Sequence, residues 1–131
     1  MTRSVKLATG IVLLHLAVNI VHGTAHGRLQ ILLDPMATGF VVTVILLLPL
    51  VAMALLWTSR QRLGWILLTG SMAAALLFGA FKHFWEMSPD HVGQQPAGPW
   101  ASAFAVTAYL LLLTEAAGTY VGMRSLSRKA S

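Results

Sequence analysis

The chain contains no cysteine. That excludes disulfides, thiolate metal sites and cysteine nucleophiles. Charge is scarce as well: Asp, Glu, Lys and Arg make up 10% of the 131 residues, against about 25% in a soluble domain. There is no Gly-rich phosphate loop, and no interleaving of basic and aromatic residues of RNA-binding type. The net charge of +5 therefore does not point to nucleic acid. What the chain does have is apolar side chains, 56% of the total. This composition indicates an integral membrane protein embedded in a lipid bilayer, built as one small helical bundle with no separate soluble domain.

The expected fold class is all-α, a single domain of four transmembrane helices in up-down order. The spans fall at about 5–26, 35–57, 63–84 and 100–123, each near the ~20 residues that cross a hydrocarbon core. Asp34-Pro35 offers an N-cap followed by proline at the first helical position, and Gly98-Pro99-Trp100 opens the fourth span. Pro49 lies inside the second span and predicts a kink there. Arg3, Lys6, Arg60, Arg62, Arg124, Arg128 and Lys129 fall on one side of these spans; Arg28 and Lys82 fall on the other. The positive-inside rule then places both termini in the cytoplasm, as in a multi-pass protein of a bacterial inner membrane. Trp57 and Trp65 mark the inner interface, Trp85 and Trp100 the outer one. A competing reading makes residues 1–25 a cleaved signal peptide, with a basic start, an apolar run and a Gly-Thr-Ala ending. His15 and Asn19 interrupt that run and argue against it.

Small residues recur at steps of four: Ser71, Ala75 and Gly79 in the third span, Thr114, Gly118 and Gly122 in the fourth. Such ridges let helices approach closely in lipid. They are expected to pack within the monomer, with a homodimer contact as the alternative.

The few polar residues are concentrated. His15, Asn19, His22 and His26 are spaced to share one stripe of a helix. A polar stripe in a membrane span must face protein, water or an ion. The first and third spans end on the same side, which brings His22 and His26 level with His83. The following loop adds Glu86, Asp90 and His91. Ser88 before Pro89 is placed to cap a turn that fixes Asp90 and His91.

Three functional readings follow. In the first, His22, His26 and His83, with His91, Asp90 and Glu86 as ligands or orienters, hold a transition metal. Imidazole and carboxylate suit zinc, copper(II), iron or manganese. A variant of it places a b-type haem between a first-span histidine and His83, with Gly79, Ala75 and Gly23 making room. It leaves the acids and His91 without a role. In the second reading, His15 and Glu115, at similar depth and joined by Asn19, belong to a proton or ion pathway. In the third, the chain is an accessory subunit packed on a larger membrane protein. The plain alternative to all three is that the histidines are interfacial and that His15 and Asn19 are interhelical glue, worth about 1 kcal/mol or less each. An enzyme is not excluded, since a metal with an open position activates water, but no nucleophile-base-orienter pattern is visible.

Overall fold

The computed structural model describes residues 2–128. Four helices are long and apolar enough to cross a membrane: α1 Arg3–Arg28, α2 Pro35–Leu56, α3 Gln61–Trp85 and α4 Pro99–Ser127. No strand occurs among the described residues. Helices stand where all four spans are expected; α1, α3 and α4 run a few residues past the expected bounds, and α2 ends one residue short. Lys129, counted above among the inner charges, lies outside the described residues.

The helix starts follow local chemistry. Thr2 Oγ1 accepts from Val5 N at 3.4 Å at the head of α1. Asp34 Oδ1 accepts from Ala37 N at 2.9 Å, with Pro35 at the first position of α2. α1 ends in a Schellman arrangement: Ile31 N donates to His26 O at 3.0 Å and Gln30 N to Gly27 O at 3.3 Å. Gln30 takes the left-handed conformation usually left to glycine, with φ 54°. This turn folds Ile31 back under the end of α1, where it packs with Ala25 and Phe104.

Two helices widen locally into π-turns. In α2 the widening covers Val41–Leu47, immediately before Pro49. Proline lacks an N–H and crowds the carbonyl four residues back; the extra residue in the turn is the local backbone response. In α3 the widening covers Phe81–Trp85 and closes with Glu86 N donating to Phe81 O at 2.8 Å. It carries His83.

α4 packs along both α1 and α3, and α3 also packs along the second half of α2. One core joins Val5, Ala8 and Val12 of α1, Ala52 and Leu56 of α2, and Trp65, Leu68 and Met72 of α3. Trp57 Nε1 donates to Thr9 Oγ1 at 3.0 Å near the same end. Gly118 and Gly122 of the α4 ridge pack closely on α3, against Met72 and Thr69 and not against the Ser71-Ala75-Gly79 ridge. A Cβ at Gly118 would meet Met72, and one at Gly122 would meet Thr69. The outward faces are apolar, with Leu14, Ile20, Leu77 and Leu113 exposed, an extent of surface a water-soluble monomer does not present.

Candidate metal centre

The stripe on α1 faces inward: His15 and His22 are buried, Asn19 and His26 partly so. His83 from α3 and Asp90 from the loop after it are also buried. Candidate ligand atoms of His22, His26 and His83 lie within 4.8 Å of one another. Phe104 of α4 forms the wall behind them, its ring stacked on His22 at 4.8 Å and tilted against His26 at 5.1 Å.

The anchors of the three rings determine which nitrogen of each is free. Thr107 Oγ1 donates its one proton to the helix carbonyls, at 2.6 Å from Ala103 O and 3.1 Å from Phe104 O. It therefore accepts from His22 Nδ1–H at 2.8 Å. His83 Nδ1 lies 3.0 Å from the carbonyl oxygen of Asp90, and His26 Nδ1 lies 3.4 Å from that of Ile31. A carbonyl only accepts, so both nitrogens are donors. In its neutral form each ring then carries its lone pair on Nε2. This is the form in which histidine binds metal, with the other ring nitrogen held by an acceptor.

Those lone pairs are not spread apart. His22 Nε2 and His83 Nε2 face each other at 3.2 Å. His26 Nε2 faces Asp90 Oδ1, also at 3.2 Å. Each of these contacts needs a shared proton or a metal cation between or beside the two atoms. Two ligands at ~2.0–2.1 Å from one tetrahedral ion are themselves about 3.3 Å apart. The His22–His83 separation fits that spacing. His26 has the longest anchor of the three, so it is the ring freest to swing inward.

Asp90 supplies negative charge at the same place. Oδ1 lies 3.2 Å from both His26 Nε2 and His83 Nδ1, yet neither approach is aligned as a hydrogen bond, and Oδ2 is buried without a partner. Burial alone would raise this carboxyl. The adjacent His26 and His83 nitrogens outweigh burial and hold it well below the ordinary carboxylate range, so Asp90 is an anion. A buried carboxylate next to a cluster of three imidazoles is a set of groups suited to a cation. The loop is built to hold it there: Ser88 Oγ accepts from Asp90 N at 3.3 Å, and the Gln95 amide donates to Pro89 O at 2.6 Å.

Two residues expected at this site are placed elsewhere. His91 Nδ1 accepts from Gly93 N at 3.0 Å and caps the short turn Val92–Gln94. Glu86 pairs back to Lys82 Nζ at 2.8 Å along α3. Asp90 is the loop side chain that reaches the cluster. The deeper group is brought together as expected: His15 Nε2 and Glu115 Oε1 are 3.2 Å apart and buried. Asn19 Nδ2 donates to His15 O at 2.9 Å and lies 3.1 Å from His15 Nε2.

Sequence reasoning missed Thr107, Phe104 and the Ile31 carbonyl. Thr107 had a signal: it lies seven residues before Thr114 and so extends the Thr114-Gly118-Gly122 ridge of α4. Replacing Thr107 with valine keeps the shape and removes the acceptor for His22. The expected outcome is a ~10–100-fold loss of zinc affinity with an unchanged helical circular-dichroism spectrum, read by competition with a chromophoric chelator.

No protein family matches this chain, and no curated protein or solved structure is significantly similar to it.

Proposed function

We propose that this is a multi-pass membrane protein that binds a divalent transition-metal ion of the zinc class. In this reading the ligands are Nε2 of His22, His26 and His83 and a carboxylate oxygen of Asp90, and the site lies at the outer ends of α1 and α3 with both termini in the cytoplasm. The observation that carries it is the pair of Nε2 atoms held face to face at 3.2 Å, with each ring's Nδ1 anchored on an oxygen at 2.8–3.0 Å. Three imidazoles and one carboxylate form a closed tetrahedral set for zinc. The absence of sulfur donors favours zinc, manganese, iron or copper(II) over copper(I). The same contact argues against a bis-histidine haem. Nitrogens on opposite faces of one iron would stand about 4 Å apart, taking ~2.0 Å per metal–imidazole bond, and a porphyrin would have to lie between them. The test is metal content of protein purified without a polyhistidine tag. About one zinc-class ion per chain is expected, retained through gel filtration. Metal-free protein that gains no ion on incubation with zinc, manganese, iron or copper(II) would refute the reading.

A second reading, proton movement, is favoured by the buried His15–Glu115 pair and by the cavity that joins it to the histidine cluster. In liposomes Glu115→Gln would abolish a pH-driven flux, and flux equal to that of the unaltered protein would eliminate this role.

A further inference from the structure

A cavity of about 400 Å³ runs from the histidine cluster to Glu115. That is within the usual range for small-molecule sites. Its walls are mostly aliphatic, with Val41, Ile45 and Leu46 of α2 on one side and Leu111 and Leu112 of α4 on the other. Leu32, almost fully exposed, and Leu33 border it.

At the Glu115 end of this chamber one polar atom has no partner. Glu115 is 2% exposed. Its Oε1 faces His15 at 3.2 Å, while Oε2 is buried without a hydrogen bond. Glu115 lines the cavity. Beside it Gly79 leaves space where a side chain would stand: a Cβ there would lie 3.7 Å from Oε2 and 3.9 Å from His83 Cδ2. A buried acceptor opening onto an aliphatic chamber is complementary to one hydrogen-bond donor on an apolar body.

We propose that this cavity binds an uncharged, membrane-dissolved amphiphile with a hydroxyl head, a phenol or long-chain alcohol, whose O–H donates to Glu115 Oε2. An ion is disfavoured because the aliphatic walls would strip its hydration without replacing it. A purely apolar chain leaves Oε2 unsatisfied. The wall on the α2 side is the π-widened segment Val41–Leu47, whose other residues face outward as apolar surface, such as Val42 and Leu47. That places the chamber one helix away from lipid, the phase in which such a ligand is dissolved. The proposal does not depend on metal binding.

The test is photolabelling in lipid nanodiscs with a diazirine-bearing 4-alkylphenol, using 4-nonylphenol and its methyl ether as competitors. Saturable labelling of the peptides containing Val41–Leu47 and Leu111–Leu112 is expected. The phenol should compete at least tenfold better than the ether. Glu115→Leu should erase that difference, and Ile45→Trp, which fills the chamber away from the carboxylate, should cut labelling at least tenfold. Should Glu115→Leu fail to fold, the two competitors on the unaltered protein and the Ile45→Trp variant still decide. Unaltered protein stripped of metal with a chelator should keep saturable labelling, which separates this site from the metal reading. Labelling that does not saturate, or that falls on outward residues such as Leu77 and Leu113, would overturn the proposal. Equal competition by phenol and ether would also overturn it, and would identify a slot for acyl chains.

Discussion

Replacing His83 with alanine should lower zinc affinity by at least ~100-fold, whereas His91→Ala should leave it within about threefold. Removing an orienting group around a metal ligand already costs ~10–100-fold, and in the proposed site His83 is both ligand and anchor. Its Nε2 faces His22 Nε2 at 3.2 Å, and its Nδ1–H donates to the Asp90 carbonyl at 3.0 Å. Losing the ring removes one donor and loosens the backbone that delivers a second. His91 differs because its Nδ1 is occupied by Gly93 N–H outside the cluster. Its replacement costs a turn cap, an effect of about 1 kcal/mol on the loop, and no ligand. Isothermal titration of the metal-free proteins with zinc gives the comparison. Equal losses in the two variants would mean that the site is centred elsewhere on the loop.

Gly122→Leu should destabilise the folded bundle by ~3 kcal/mol or more, at the upper end of what overpacking costs. Even a methyl group at Gly122 would collide with Thr69 Oγ1, and it would stand 3.2 Å from Thr69 Cβ. Thr69 cannot easily yield, because its hydroxyl donates to Trp65 O at 2.7 Å within α3. Relief therefore requires α3 and α4 to separate along a ridge that both helices share. Gly118→Ala should be milder, since the nearest obstacle is the flexible Met72 side chain. Gly10→Ala is the control: nothing stands within 4 Å of a Cβ there, and the change should be neutral or slightly stabilising in a helix. Reversible unfolding in sodium dodecyl sulfate, followed by circular dichroism, ranks the three.

Much of this architecture is legible from the chain because membrane helices obey few and strong rules. Four apolar stretches, Asp34-Pro35 and Gly98-Pro99 set the helices. The steps of four in Gly118 and Gly122 set the α3–α4 contact. His15, Asn19, His22 and His26 declared their common face, and scarcity made His83 and Glu115 their natural partners. The loop was not legible in the same way. Glu86, Asp90 and His91 are all ligand types, but direction there depends on non-repeating backbone: the π-turn at Phe81–Trp85, the Ser88 turn and the capping role of His91. In α2 a π-turn precedes Pro49, the residue at which the sequence predicts a kink. The choice of ring nitrogen was beyond the sequence as well, because it depends on Thr107 and on two backbone carbonyls whose positions exist only after folding.

X-ray absorption at the zinc edge of the loaded protein tests the metal centre most directly. The expected spectrum has a first shell of four nitrogen and oxygen atoms at ~2.0–2.1 Å, with outer-shell scattering from three imidazoles that falls to two in His83→Ala. A shell of six oxygens, or imidazole scattering unchanged by His83→Ala, would contradict a site formed by His22, His26, His83 and Asp90.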